Sequence, residues 1–196
     1  MTSPGDLRWI GENLRADRRA MACLRAVRSL AVDHQPWIAA GFVRNRVWDR
    51  LHGYTQPTPL NDIDVLAFDP ERTDRAFETE IERQLGTILP GLPFEVRNQA
   101  RMHVRNGDEA YADVEEALTH WLETATAVAV RLDRTDRFEF LHPFGIDDLL
   151  GMIARPTPAG AIRMREFDER MARKRWNERW PKVRILREPW PGKECR

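Results

Sequence analysis

The stretch TPLNDIDVLAFD, from Thr58 to Asp69, places two carboxylates one residue apart within an apolar segment. Its centre, DIDVLAF, is typical of a buried strand. Residues two apart project from one face of a strand, so Asp62 and Asp64 should point together while Ile63 and Val65 face the opposite layer. Two close, unpaired carboxylates repel each other and are costly to bury. We therefore expect a positive charge beside them.

The segment upstream of these carboxylates combines a strand, a glycine and a helix without a spacer. The run WIAAG (residues 37–41) is typical of a buried strand that enters a tight turn, and FVRNRVWDRLHG continues at helical spacing. A glycine before a helix lets the backbone approach an anion, and the free N–H groups of the first turn form a phosphate site. The candidates for this site are Gly41, Phe42, Arg44 and Asn45.

A third carboxylate lies in the stretch FEVRNQARMHV, which alternates as a strand would. One face of this strand should carry Glu95, Arg97, Gln99, Arg101 and His103. Taken alone, Glu95 is equally well explained by an edge-strand salt bridge. The basic residues are candidates for binding a triphosphate or an acceptor, with surface ion pairing to the acids of DEAYADVEE as the alternative for the last two. Asn98, on the opposite face, is predicted to be buried and hydrogen-bonded.

The combination of these features is more specific than any one of them. An isolated D-x-D pair is more often a solvated or arginine-paired turn than a site. Mg²⁺ takes oxygen ligands from one or two carboxylates together with substrate phosphates. A phosphate-binding turn, a paired-aspartate strand and a third strand carboxylate therefore predict a two-metal site for phosphoryl transfer.

The length and the net charge of the chain are compatible with this prediction but do not require it. It has 196 residues, and its 31 basic and 31 acidic residues give no net charge, which neither demands nor excludes an anionic partner. We predict one domain over residues 1–196, with an N-terminal helical region (4–31), a core (about 34–155) and a charged helix and tail (about 160–196). Helices mixed with a short-stranded sheet make the fold class α+β.

The location is predicted from what the sequence lacks. No apolar run approaches the roughly 18 residues of a membrane span, and the N-terminal residues do not resemble a signal peptide. Cys23 and Cys195 lie far apart, which suits unpaired thiols in a reducing compartment. We expect a cytoplasmic protein that contacts no membrane.

The C-terminal part carries the one local charge asymmetry. From Arg163 onward there are twelve basic and six acidic residues, with Trp176, Trp180 and Trp190 among them. Such a segment can bind nucleic acid, but we favour a solvated helix with Glu and Arg paired four residues apart. We expect Trp48 to pack in the core rather than to stack on a nucleobase.

These motifs resemble the minimal signature of the polymerase-β-like nucleotidyltransferase superfamily. The segments that carry the resemblance are GF, then DIDV, then the acidic strand FEV. The longer blocks AAGFVRNRVWDRLHG, TPLNDIDVLAFD, FEVRNQARMH, ETATAVAVRL and PFGIDDLLGMIARPTP resemble a small bacterial family called simply nucleotidyltransferase family protein, over residues 37–181. The resemblance implies a nucleotidyltransferase fold with a short mixed sheet flanked by helices. It also implies Asp62 and Asp64 as metal ligands and Glu95 as the third acid.

The sequence departs from the superfamily pattern at two places. Phe42 stands where the superfamily usually has glycine or serine, so a hydroxyl contact to the terminal phosphate is lost, and backbone amides and Arg44 would have to substitute for it. The interval between Gly41 and Asp62 is also longer than usual, which leaves the loop between them free to reshape the site.

The expected activity depends on Mg²⁺, or on Mn²⁺ as the alternative ion. It is transfer of a nucleoside monophosphate from a nucleoside triphosphate (NTP) such as ATP to an unidentified acceptor hydroxyl, with release of pyrophosphate. Two alternatives stay open. One is a nucleotide-binding protein of the same fold without turnover, which Phe42 favours. The other is a metal-dependent nuclease that uses Asp64, Glu95 and Arg97, although arginine cannot replace the proton-accepting lysine of such enzymes.

Overall fold

The structure, a computed structural model, describes residues 4–192. The pattern SPGD predicts a helix cap at Ser3, which lies outside these residues, as does the thiol of Cys195. Cys23 is a free, buried thiol, and burial raises its pKa to about 11. Within the described residues, no helix combines the length and the apolar composition that crossing a bilayer requires.

Helices make up most of the regular structure. Those within residues 4–192 are α1 (Pro4–Ala16), α2 (Arg18–Arg28), α3 (Gly41–His52), α4 (Arg75–Ile88), α5 (Met102–Asn106), α6 (Val114–Thr119), α7 (Asp147–Leu150), α8 (Pro158–Ile162), α9 (Met164–Lys174) and α10 (Trp176–Arg179). In the region predicted to be helical (4–31), the chain forms two helices, α1 and α2. They are divided at Asp17, whose side chain accepts hydrogen bonds from the Arg19 and Ala20 amides and so caps α2.

A mixed five-stranded sheet forms the centre of the fold. Its strands are β1 (Trp37–Ala39), β2 (Ile63–Ala67), β3 (Phe94–Asn98), β4 (Ala129–Leu132) and β5 (Phe138–Leu141), in the order β3-β2-β1-β4-β5. The β2 and β3 strands are parallel, and the other pairs are antiparallel. The predicted α+β class is confirmed. The patterns ATAVAVRL and RFEFL, separated by the short turn DRTD, predict a hairpin, and β4 and β5 form it.

The two faces of the sheet are covered unequally. Ile63 and Val65 face the main core, which holds the apolar sides of α1 to α4. Leu66 faces a smaller cluster that includes Val114 of α6. Because side chains alternate along a strand, Asp64 lies on the same face as Leu66. The smaller cluster leaves room on this face for a site.

The third strand is shorter than predicted. The alternation predicted to continue beyond Asn98 is wrong, because residues 99–101 form a 3₁₀ turn that leads into α5. The Asn98 side chain ends the strand: it accepts hydrogen bonds from the amides of Ala100 and Asp69, and it donates to the carbonyls of Asp69 and Arg72. The prediction that Asn98 is a buried, hydrogen-bonded residue is confirmed.

The C-terminal part differs most from the prediction. The segment FGIDDLLGMIA (144–154) has apolar residues at helical spacing, which predicts a helix, but only α7 forms. Met152 has a φ of 52°, and the chain continues as β6 (Ile153–Ala154), which pairs with β7 (Arg184–Ile185). The charged segment is broken into α8, α9 and α10. It is more than a solvated helix, because Trp176 and Trp180 pack in the core with their rings 5.4 and 5.3 Å from that of Trp48.

Candidate active site

The sheet brings the three predicted carboxylates together at one end of β2 and β3. Asp62 lies just before β2, and the parallel register places Asp64 opposite Glu95 on the neighbouring strand. Within residues 4–192, neither aspartate forms an ion pair or a side-chain hydrogen bond. Glu95 differs, because it forms an ion pair with Arg97, which also lies 3.8 Å from Glu82.

At this end of the sheet, burial and nearby negative charges disfavour the ionised form of Asp64. Burial raises the pKa of Asp64 to about 6, and the charges of Asp62 and Glu95 act in the same direction. Arg170 and Arg44 oppose this rise without cancelling it. The expected positive charge is therefore present nearby, but it does not neutralise the carboxylates.

The donor set fits a hard divalent cation. Among residues 4–192, no three His, Cys, Asp or Glu side chains are already gathered around one metal position. However, Asp62 and Asp64 present unpaired carboxylate oxygens beside Glu95, and oxygen is the ligand that Mg²⁺ prefers. A bound cation would also remove the repulsion that raises the pKa of Asp64.

The turn between β1 and α3 presents unused backbone donors on the same side. Ala40 has φ 54° and ψ −122°, a conformation that suits glycine and costs an alanine free energy. The N-terminus of α3 has no side-chain cap. The first backbone hydrogen bond between residues four apart runs from the Arg44 amide to the Ala40 carbonyl, at 2.9 Å. The amides of Gly41 and Phe42 thus belong to an uncapped helix end, which favours anions.

The side chain of Phe42 does not take part in this turn. It is only 3% exposed and packs in the main core. The unusual residue at the turn is therefore Ala40, which holds the strained conformation, rather than Phe42. Only the backbone amide of Phe42 remains a candidate for contact with a nucleotide.

Arg44 lies beside Gly41 with part of its donor capacity unused. A Cβ atom added to Gly41 would lie 3.4 Å from Arg44 Nη2. This Nη2 donates to Asn45 Oδ1 at 2.8 Å, whereas the buried Arg44 Nε has no hydrogen-bond partner. Burial lowers the pKa of Arg44 to about 10, and the charges of Glu123 and Asp64 oppose the decrease. The side chain remains a cation at neutral pH.

These elements open into one cleft of about 410 Å³. Its lining includes Ala40 from the turn, Asp64 from β2 and Arg170 from α9. His120 also lines it, with its Nδ1 2.9 Å from Asp108 Oδ2. The uncapped helix end, the unpaired carboxylate of Asp64 and a guanidinium group therefore share one space, and together they can hold a polyphosphate and a divalent cation.

The sequence matches the profile of a family described as Nucleotidyltransferase over residues 25–185. The protein belongs to this nucleotidyltransferase family. The chain is similar to a structure described as an NMR structure that reveals a CCA-adding enzyme head domain. The two superimpose with a TM-score of 0.80 at 31% sequence identity, and the match covers 91% of this chain and 95% of that one. The predicted nucleotidyltransferase fold is thereby confirmed.

More distant structures share the fold. A CCA-adding enzyme in complex with CTP matches with a TM-score of 0.61 at 16% identity, over 90% of this chain and 43% of that one. The Thermotoga maritima CCA-adding enzyme in complex with tRNA matches with a TM-score of 0.59 at 19% identity, over 90% of this chain and 42% of that one. No curated protein sequence matches this nucleotidyltransferase.

Two predicted binding residues of this nucleotidyltransferase have protein partners. Arg97 is ion-paired with Glu95, as described above. Arg101 does not lie on β3, and its guanidinium donates to both carboxylate oxygens of Glu78 at 2.8 Å. Glu78 is fully buried on α4 and also accepts from the Asn98 amide, at 2.7 Å. The hydrogen bonds of Arg101 are therefore committed to the fold.

Two residues of the cleft, Glu123 and Arg170, are not predictable from sequence patterns. Glu123 is 1% exposed and accepts from Arg170 Nε at 2.8 and 3.0 Å and from Thr126 Oγ1 at 2.8 Å. The two partners are 47 residues apart, so no local spacing reveals the pair. No local signal distinguishes Arg170, because Glu166 lies four residues before it, which is the spacing at which Arg165 pairs with Glu169.

Proposed function

We propose that this nucleotidyltransferase moves a nucleoside monophosphate from an NTP to an acceptor hydroxyl in a reaction that requires Mg²⁺. One observation carries the proposal: Asp64, which lies beside Asp62 and in register with Glu95, lines one cleft together with Ala40 of the uncapped turn. Among residues 4–192, neither the two aspartates nor the turn has a side-chain partner, and a metal-bound polyphosphate would complete both.

Each group of the chain has a separate task in this proposal. The amides of Gly41 and Phe42, with Arg44 beside them, would bind phosphate oxygens. Asp62, Asp64 and Glu95 would hold Mg²⁺, which when bound offsets the charge that develops on the phosphates. The side chain of Glu95 is 40% exposed, so it can meet an acceptor that enters from solvent and receive its proton.

The bond changes follow from this arrangement. The acceptor oxygen attacks the α-phosphorus in line with the leaving oxygen, its proton passes to a nearby base, and the bond to the β-phosphate breaks. Pyrophosphate leaves with the electron pair of that bond. The complexes of similar folds with CTP and with tRNA support an NTP as donor, and they make an RNA 3′-hydroxyl the first acceptor to test.

The alternatives predicted from sequence lose their particular support. Binding without turnover was favoured by Phe42, whose side chain packs in the core and does not line the cleft. A nuclease would need a proton acceptor at Arg97, and an arginine that stays charged cannot serve as one. We therefore carry only the transferase forward.

The experiment is to incubate the protein with each α-³²P-labelled NTP, Mg²⁺ and either total RNA or small polyols, and to measure label transfer and pyrophosphate release. The proposal expects both products in equal amounts, with at least a hundredfold loss in Asp64→Asn. Asp33→Asn, an exposed aspartate that does not line this cleft, is the matched control. Degradation of labelled RNA without an NTP, or release of phosphate instead of pyrophosphate, would contradict the proposal.

A further inference from the structure

Helix α9 places an arginine with free hydrogen-bond donors in the cleft. Arg170 contacts the buried Glu123 through its Nε, at 2.8 and 3.0 Å. Within residues 4–192, no hydrogen bond involves its two terminal nitrogens. Glu123 therefore orients the guanidinium group, and its outer edge remains able to bind an oxyanion bidentately.

One turn further along α9, Lys174 adds a second cation on the same side, because residues four apart lie on one helical face. Its side chain is exposed, and among the described residues it has no ion pair within 4.0 Å. Desolvation and the charge of Arg170 lower its pKa, whereas the charges of Asp62 and Asp64 oppose the decrease. These opposing charges show that the ammonium group lies in the field of the candidate site.

A tryptophan connects these residues with the phosphate-binding turn. The Arg44 guanidinium lies 4.3 Å from the centre of the Trp176 ring, and that of Arg170 lies 6.0 Å from the same ring. Trp176 is the first residue of α10, next to the end of α9. The buried indole thus lies next to a cation of α3 and a cation of α9.

We propose that Arg170 and Lys174 of α9, acting with Arg44, form the binding site for the terminal phosphates of the NTP, which leave as pyrophosphate. The inference rests on the proposed function and adds a substrate requirement to it. The three cations repel one another, and among the described residues only Arg170 has a carboxylate in contact. A group with several negative charges would relieve this repulsion, and a monophosphate carries fewer of these charges than a triphosphate.

The site would therefore discriminate by the number of phosphates. A triphosphate can place its first phosphate at the Gly41 turn and its last phosphate against α9, but a monophosphate can use the turn alone. We expect affinity to increase from nucleoside monophosphate to triphosphate, and inorganic tripolyphosphate to compete with an NTP because it carries the same anionic groups.

The test measures binding of inorganic tripolyphosphate by calorimetry, without metal, so that neither the base nor the acceptor needs to be known. Lys174→Gln should weaken binding about tenfold, as should Arg170→Gln, because each removes a charged hydrogen bond. Arg165→Gln is the matched control, since it removes the same charge from α9 at a side chain that is 90% exposed and paired with Glu169. Binding of a nucleoside monophosphate should stay within twofold in all three variants.

Loss of the Glu123 partner could unfold Arg170→Gln, so thermal melts accompany each titration. Lys174→Gln carries no such risk, because this side chain has no partner among the described residues to lose. Equal tripolyphosphate affinity in Lys174→Gln and the wild type, or an equal loss in Arg165→Gln, would overturn the inference. The expected pattern of losses in a protein that releases no pyrophosphate from any NTP would support this binding site and count against the proposed transferase.

Discussion

Replacing Asp64 with asparagine should stabilise the metal-free protein at neutral pH. The pKa of this carboxyl rises from 3.8 to about 6 on folding, mainly through burial. The pKa of Asp64 is higher in the folded state than in the unfolded state. Its contribution to the free energy of unfolding is therefore fully present below pH 3.8 and is lost as the pH rises through about 6. At 1.36 kcal/mol per pKa unit, ionised Asp64 costs the fold up to about 3 kcal/mol. Asparagine keeps the shape and removes the charge.

Urea unfolding in the presence of EDTA measures this difference. At pH 8, Asp64→Asn should be more stable than the wild type by about 1–3 kcal/mol, and the gain should disappear near pH 4. Asp33→Asn, at an exposed position outside the cleft, should show no comparable gain. Adding Mg²⁺ should stabilise the wild type and not Asp64→Asn, because only the wild type has the full ligand set. An Asp64→Asn protein that is no more stable than the wild type at pH 8 would refute the reasoning.

Three further substitutions test the fold around the site. Arg101→Ala should lower the free energy of unfolding by about 3 kcal/mol, because it leaves the buried Glu78 with fewer partners; a loss below 0.5 kcal/mol in urea would contradict the buried pair. Ala40→Gly should raise Tm by about 2–4 °C, since glycine relieves the positive φ at an entropic cost smaller than the strain; a lower Tm by calorimetry would disprove the strain. Trp180→Ala should cost about 3–5 kcal/mol, because it empties a fully buried position and removes the 2.8 Å hydrogen bond to Asp49; near-normal stability would show that the C-terminal part is not core.

The grouping of Asp62, Asp64 and Glu95 was predictable because local sequence patterns determine it. The alternation of DIDV fixes which side chains share a face, and a glycine before an amphipathic helix marks the turn. The parallel pairing of Asp64 with Glu95 required only that both strands be recognised. The end of β3 was harder to predict, because Asn98 stops the strand through contacts with residues 69 and 72, which lie far away in sequence.

The contribution of α9 could not be predicted in the same way. Its charges follow the spacing of a solvated helix, and the pair formed by Arg165 and Glu169 agrees with that interpretation. Arg170 departs from it only because Glu123, far away in the chain, is buried against it. The packing of Trp176 and Trp180 also depends on the position of Trp48. Trp48 lies in α3, so the sequence of the C-terminal part alone does not predict this packing. Tertiary contacts of this kind decide the role of the segment.

The central claim is that one cleft of this nucleotidyltransferase binds a metal and an NTP through Asp62, Asp64 and the Gly41 turn. The most direct test is calorimetric titration with each of the common NTPs, with and without Mg²⁺, in the wild type and in the double variant Asp62→Asn/Asp64→Asn. The account predicts that at least one NTP binds only with Mg²⁺ and that the double variant weakens this binding more than tenfold. Equal affinity of both proteins for the Mg²⁺–NTP complex would contradict it.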